Sequence, residues 1–266
     1  MLAEQRQKQL FTYLAERQSA QVSELSSVFG VSMSTVRRDL QEMEDRELVR
    51  RVYGGALLLT ARPAREEAEI GQRTPQRMEI KARIGQAAAG LVRDGSTIII
   101  TGGTTTEAMI PYLGATSGLT VITNALNIAA RLAAYPSIDV VVLGGWLRHS
   151  ELTLLGHLTT QALQDLRADQ IFYGTFGINA ADGLTGTYIR EVQTDRTLIA
   201  TARELIVLAD SAKFHQSGPA RVLPITALST LVTDGAAPAD AVLTLRERGV
   251  TVLQVQPPSG PDERSY

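Results

Sequence analysis

The stretch Val31-Ser32-Met33-Ser34-Thr35-Val36-Arg37-Arg38-Asp39-Leu40 places two adjacent arginines on a short helix that a Ser-rich turn presents to solvent. Val36, Leu40 and Met43 recur at i, i+4 and i+7, so one stripe is buried while Ser34, Thr35, Arg37, Arg38 and Gln41 point away from it. Ser32 is positioned to cap this helix. Upstream, Ser23 is positioned to cap a second short helix whose apolar residues are Leu25, Val28 and Phe29, and Gly30 falls where a left-handed residue would end it. Leu10, Phe11 and Leu14 give a first helix, over roughly residues 3 to 17, whose stripe can cover the other two.

After the third helix, Leu48-Val49-Arg50-Arg51-Val52 reads as a short strand, Tyr53-Gly54-Gly55 as a tight turn and Ala56-Leu57-Leu58-Leu59 as the return strand. Three helices and a hairpin in this order make a winged helix-turn-helix, the expected DNA-binding domain of residues 1 to 59. On that reading Arg37 and Arg38 meet phosphates or guanine edges, with Ser32, Ser34, Thr35 and Gln41 on the same face. Arg50 and Arg51 on the wing meet backbone or minor groove. A solvated basic face on a three-helix bundle is the plain alternative. The ordered combination of helix-turn-helix pattern, arginine pair and wing favours DNA.

These residues resemble the N-terminal domain of the DeoR-type bacterial regulators of sugar metabolism. The resemblance is carried by Val22-Ser23-Glu24-Leu25, by Val31-Ser32 through Leu40, by Leu48-Val49-Arg50-Arg51 and by Gly54-Gly55-Ala56. Tyr53 stands where the family usually has a histidine.

Charge alone would not have suggested DNA. Residues 1 to 65 hold 10 Lys plus Arg against 8 Asp plus Glu, and the whole chain carries a formal net charge of −2. Affinity for DNA must therefore come from where the arginines sit and from pairing two heads. The absence of cysteine excludes disulfides and thiolate metal sites and fits a reducing cytoplasm. Met1 to Arg6 lacks the apolar core of a signal peptide, and no apolar run approaches membrane-spanning length, so a soluble cytoplasmic protein is expected.

Residues 60 to 76, with Pro63, Pro75 and Arg65-Glu66-Glu67, break both periodicities and read as a linker. Beyond it Ile80, Ile84, Ala87, Ala88 and Leu91 make an amphipathic helix, and Asp94-Gly95 turns the chain into the apolar run Thr97 to Ile100. Further strands are expected at 119–123, 138–143, 170–174, 205–209, 228–232 and 250–253, with helices at 124–134, 158–166, 192–202 and 238–248. Continuously apolar strands alternating with helices argue for a doubly wound, mostly parallel α/β domain over residues 77 to 255, followed by a flexible tail at 256 to 266.

Ligands in such sheets bind beyond the C-terminal ends of the strands. Thr101-Gly102-Gly103-Thr104-Thr105-Thr106 follows the first strand and opens a helix, so backbone N–H groups, hydroxyls and the helix dipole suit an anion such as phosphate. A tight turn with threonine caps is the structural alternative. Other strand ends are also polar: Thr123-Asn124, Gly144-Gly145, Gly174 through Asn179, and Asp210-Ser211-Ala212-Lys213. Lys213 can reach the same crevice as the glycine-rich loop, while Arg148 and His149 would gate it or sit on its rim.

Residues 77 to 255 resemble the DeoR-type sensor domain, which is similar in fold to ribose-phosphate isomerase and binds phosphorylated sugars as inducers. The resemblance implies an effector site of Thr101, Gly102, Gly103, Thr104, Thr105, Asn124, Gly144, Gly145, Glu191, Asp210 and Lys213. The chain departs from the family pattern there. Thr101 and Gly102 replace Asp-Ser, Ala212 replaces a serine, and Asp195 stands where a lysine is usual. The expected protein is a DNA-binding transcriptional regulator, a repressor released by a phosphorylated sugar or related metabolite, working as a homo-oligomer, dimer or tetramer, on double-stranded operator DNA.

A sugar-phosphate isomerase-like enzyme carrying a DNA-binding head is the alternative, with Asp210, Glu191 and Lys213 cast as its catalytic groups. His149, His157 and His215 have no metal-ligand spacing, and neither a metal nor a cofactor is expected.

Overall fold

The computed structural model describes residues 6–7, 9–10, 13–14, 19–45, 49–52, 55–58, 70–73 and 77–256. The chain divides into two compact units, Met1–Arg65 and Glu66–Tyr266.

In the first unit the described residues among 6–14 are helical, and Leu10 and Leu14 are fully buried. Strand β1 (Ser19–Gln21) leads into α1 (Val22–Phe29), then α2 (Met33–Asp45), and a hairpin of β2 (Val49–Val52) and β3 (Gly55–Leu58) follows. The wing is a three-stranded antiparallel sheet in the order β1-β3-β2, with Arg50 opposite Leu57 and Arg51 opposite Ala56. The sequence did not signal β1.

Ser32 caps α2 as expected, its Oγ accepting the Thr35 N–H at 3.2 Å. For α1 the capping expectation fails. Gln21, not Ser23, occupies the N-cap, and its N–H donates to Glu24 Oε2 at 3.4 Å. The buried Val22 has to start the helix if it is to reach the core. Val28, expected on the apolar stripe, is 51% exposed. Gly30 ends α1 at φ 62°, the left-handed conformation that glycine reaches without a Cβ penalty. The expected turn residues Tyr53 and Gly54, with Phe11 and Leu59, lie outside the described residues.

In the second unit, α3 (Ile70–Arg73) and α4 (Met78–Ala89) precede a seven-stranded, wholly parallel sheet. Its strands are β4 (Thr97–Ile100), β5 (Thr120–Thr123), β6 (Asp139–Val142), β9 (Ala168–Gly174), β12 (Ala202–Leu208), β14 (Thr230–Asp234) and β15 (Thr251–Val255), in the spatial order β15-β14-β12-β9-β4-β5-β6. Helix α5 (Thr104–Glu107) follows β4, and α6 (Leu126–Leu132) follows β5. Helices α7 (His157–Ala162), α8 (Val192–Thr201) and α9 (Ala239–Glu247) complete the set.

The period of two decides which side chain enters which core. Ile98 and Ile100 join Ile84, Met109, Ile128 and Phe172 on one face; Ile99 joins Leu163, Tyr173, Leu198 and Val207 on the other. Helices therefore cover both faces, and the sheet is doubly wound.

Four expectations change. Helix α3 lies inside the span read as a linker: Ile70 N–H donates to the Ser150 carbonyl at 2.9 Å, and Lys81 Nζ to the Arg73 carbonyl at 2.6 Å. Strand β6 is an edge, so Val141 and Val142 are exposed although their run is as apolar as a buried strand. Strands β10 (Gly177–Asn179) and β11 (Gly183–Gly186) after β9, with β13 (Ala220–Leu223) after β12, form a separate antiparallel sheet that the sequence analysis did not expect. A hairpin of β7 (Trp146–Arg148) and β8 (Thr153–Leu155) fills another stretch left without structure. From residue 257 the expected tail lies outside the described residues.

Candidate functional sites: a DNA-reading face and an effector crevice

Val36, Leu40 and Met43 of α2 are at most 1% exposed, whereas Ser34, Arg37, Arg38 and Gln41 are exposed and Thr35 half-buried. The helix thus spends its apolar stripe on the head's core and turns the arginine pair to solvent. Asp39, on the buried side, holds Arg6 in a two-pronged ion pair, Nε to Oδ2 at 2.5 Å and Nη2 to Oδ1 at 3.0 Å. That pair fastens the first of the described helical residues to α2. Arg50 and Arg51 occupy consecutive positions of β2.

In the second unit, β4 leads to β5 and β6 on one side while the adjacent β9 leads to β12, β14 and β15 on the other. The loops beyond β4 and β9 must diverge, and a crevice opens between them. It has a volume of about 680 Å³ including its open mouth. Thr101 through Thr105 and Gly174 through Phe176 line it from these two strand ends, and Asn124, Arg148, Glu191 and Lys213 come from neighbouring segments.

Gly103 adopts φ 140°, which carries the chain away from the sheet into α5. Thr106 Oγ1 closes the loop by donating toward the Thr101 and Gly103 carbonyls, both at 2.9 Å. Thr101 Oγ1 accepts the Gly174 N–H at 3.2 Å and joins the two strand ends. Helix α5 is a single turn, so its dipole adds little. Anion affinity there rests on the N–H groups that the first turn of any helix leaves without internal acceptors.

Charges surround the crevice. Arg148 pairs with Glu191 and donates to Thr187 Oγ1 at 3.2 Å; Arg73 pairs with Glu151. Lys213 rides on the 3₁₀ turn Ser211–His215, its Nζ 5.6 Å from the Phe176 ring centre. Asp210 caps that turn by accepting the Ala212 N–H at 2.9 Å, and Arg77 donates to its Oδ1 at 2.9 Å. Burial and the neighbouring Glu191 push the Asp195 carboxyl well above the usual carboxylate range, although Tyr173 OH donates to its Oδ2 at 2.9 Å.

Burial lowers Lys81 from 10.5 to about 8; Asp210 opposes the shift, and Arg73, Lys213 and Arg77 add to it. Below pH 8 the folded chain bears the full cost of burying this ammonium. Between about 8 and 10.5 the folded chain has shed a proton that the unfolded chain keeps, so this lysine's contribution to stability rises with pH. The urea midpoint of the wild type relative to a Lys81→Met variant should therefore increase from below pH 8 to above it. A pH-independent difference would contradict the assignment.

Family models match both units. Residues 6–62 match the DeoR-like helix-turn-helix domain, and residues 76–235 match the DeoR C terminal sensor domain. The chain belongs to the DeoR family. It is a DNA-binding transcriptional regulator.

Relatives include the HTH-type transcriptional repressor CsqR of Escherichia coli (strain K12), 31% identical over 94% of this chain and 95% of its own. The putative aga operon transcriptional repressor of Escherichia coli O157:H7 is 28% identical over 94% and 93%, and the glycerol-3-phosphate regulon repressor of Escherichia coli (strain K12) is 28% identical over 92% and 96%. Among solved structures, ribose 5-phosphate isomerase A from Methanocaldococcus jannaschii matches 52% of this chain and 55% of its own, with TM-score 0.39 and 19% identity. The full-length sorbitol operon regulator SorC from Klebsiella pneumoniae matches 90% and 97%, with TM-score 0.41 and 13% identity.

In this DeoR-type sensor, Thr101, Gly102, Gly103, Thr104, Thr105, Asn124, Glu191 and Lys213 come together around one crevice. Gly144, Gly145 and Asp210 do not line it. A Cβ on Gly145 would stand 2.3 Å from Thr159 Oγ1, and that hydroxyl donates to the Gly144 carbonyl at 2.6 Å, so this glycine pair lets α7 pack closely. Asp210 is buried as the anchor of the turn that carries Lys213. Arg148, expected on the rim, lines the crevice.

Sequence reasoning missed Arg73, Glu151, Thr153 and Tyr173 in the lining and took Asp195 only as a departure from the family pattern at the site, a carboxylate where that pattern has a lysine. Among the described residues no cluster of His, Asp or Glu is arranged to hold a metal ion, and no helix is long and apolar enough to cross a membrane.

Proposed function

We propose that this DeoR-family protein represses a carbohydrate-metabolism operon and leaves its operator when a phosphorylated sugar or related metabolite enters the crevice. The observation carrying this reading is the convergence of the Gly102–Thr105 loop and Lys213 on one crevice at the strand-order reversal. Lys213, Arg73 and Arg77 all act on the buried Lys81, so basic side chains gather on this side of the sensor. The family favours regulation over catalysis.

Two heads are needed, because a single small module buries too little DNA surface for operator-level affinity. A second copy would cover exposed apolar side chains such as Val141 and Val142 of the edge strand β6 and Trp146 and Leu147 of β7. Coupling starts at Arg73. This residue lines the crevice, pairs with Glu151 and belongs to the first described segment after the head. An effector anion that competes with Glu151 for Arg73 changes how that segment is held, and the heads lose the spacing that fits the operator.

The test is a DNA-release titration with a phosphorylated sugar and its unphosphorylated counterpart. Lys213→Ala is expected to keep operator binding and to need roughly ten- to hundredfold more effector, the equivalent of a charge-assisted contact of about 1.5–3 kcal/mol. Gly103→Val should act the same way, since a β-branched residue is strained at φ 140° and its Cβ would lie 3.2 Å from Thr106 Oγ1. Release of Lys213→Ala at the wild-type concentration, or equal potency of the two compounds, would refute the phosphate site. Turnover of sugar phosphates by the purified protein, lost in Asp210→Asn, would instead favour the isomerase-like alternative.

A further inference from the structure

Cations are not the whole of the crevice. Glu191 and Asp195 also line it, one turn apart on the chain. Glu191 Oε1 accepts from Thr153 Oγ1 at 3.1 Å, and Asp195, 8% exposed, accepts from Tyr173 OH. The lining also includes Asn124, 2% exposed. Its Nδ2 donates to the Leu154 carbonyl at 3.1 Å, and because a carbonyl can only accept, that contact fixes the orientation of the amide. Asn124 Oδ1 is then a buried acceptor without a hydrogen-bond partner among the described residues. A buried polar atom in that state costs free energy until a donor reaches it.

The lining therefore combines two kinds of group: a glycine-threonine loop with Lys213, suited to an anion, and the acceptors Asp195, Glu191 and Asn124. Arg148 already pairs with Glu191, so the carboxyl left for a ligand to compensate is Asp195, whose ionised form burial and Glu191 disfavour. An ammonium supplies three donors and a compensating positive charge at once. We propose that the effector carries a protonated amine as well as its phosphate, as an amino sugar phosphate does, with the ammonium held by Asp195, Glu191 and Asn124 Oδ1. The inference rests on the phosphate-effector reading above. It also accounts for a crevice that pairs three cations, Arg73, Arg148 and Lys213, with three carboxylates, Glu151, Glu191 and Asp195. Burial and Glu191 disfavour the ionised form of Asp195, and an ammonium beside it would favour that form.

The experiment uses the full chain on its operator DNA. Release is titrated with matched pairs of hexose 6-phosphates and 2-amino-2-deoxyhexose 6-phosphates in the gluco, galacto and manno series, and with the free amino sugars. In one series at least, the amino phosphate should act at about tenfold lower concentration than its neutral partner. Asp195→Asn keeps the acceptor for Tyr173 and removes the carboxylate. It should raise the effective concentration of the amino phosphate about tenfold more than that of the neutral phosphate. An equal loss for both compounds would mark Asp195 as a structural residue and overturn the proposal. So would the absence of any series in which the amino member outperforms the neutral one. If instead a free amino sugar released DNA as well as its phosphate, the phosphate reading would be the one to fail.

Discussion

Replacing Arg37 and Arg38 together by alanine is expected to bring operator binding down to the level of unrelated DNA. Both side chains are exposed on the face of α2 opposite Val36, Leu40 and Met43, so their removal leaves the head's core untouched. Each arginine supplies either a base-edge contact of about 1–3 kcal/mol or a phosphate contact that steepens the salt dependence by about one unit. As base contacts, together they amount to roughly 30- to 20,000-fold in affinity per head. Fluorescence anisotropy across a salt titration separates the two roles. A lost base contact reduces discrimination between operator and random DNA, and a lost phosphate contact flattens the salt slope. Wild-type affinity and slope in the double variant would mean that α2 does not enter the groove.

Asp39→Ala, one residue further along the same helix, is expected to fail for a different reason. Asp39 is 2% exposed and holds Arg6 through two hydrogen bonds, so truncation leaves a largely buried guanidinium without its carboxylate. Breaking such a pair costs about 3–5 kcal/mol, while a domain of this size has only about 5 kcal/mol of stability to lose. The head should unfold at moderate temperature and DNA binding should vanish, with effector binding by the sensor unit retained. Asp39→Asn, which keeps one acceptor, should fall between the two. A head that melts at the wild-type temperature in Asp39→Ala would show that the ion pair is dispensable. Loss of DNA binding in both experiments is thus distinguished by thermal melting, since the arginine variants keep the fold.

The head was largely legible in the sequence because its signals are local. The stripe of Val36, Leu40 and Met43, the Ser32 cap and the left-handed Gly30 each act within a few residues, and each is found in its expected place. The misplaced cap at Ser23 shows the limit: burial of Val22 against the rest of the head outweighs the capping preference of a serine one position later. In the sensor, apolar runs such as Ile98-Ile99-Ile100 announced buried parallel strands, since residues facing two cores must be apolar on both sides. The same rule could not mark β6 as an edge, because neighbours in the sheet, absent from the local sequence, decide whether a valine run is covered.

The sequence by itself therefore determined the classes of element, the order of the two units, the arginine pair and the glycine-threonine loop with Lys213. Tertiary structure decided which strand ends meet, and with them the composition of the crevice. Arg73 finds Glu151 across 78 residues of chain, Arg148 finds Glu191 across 43, and Arg77 finds Asp210 across 133. Hydrophobic periodicity specifies a face within one element, but a charge partner is specified only by the positions of two elements in space. The acceptor set of Asp195, Glu191 and Asn124 shows both sides: the sequence points to Glu191 and Asn124 at the site and marks Asp195 as a departure from the family pattern, but only the tertiary structure brings the three into one crevice.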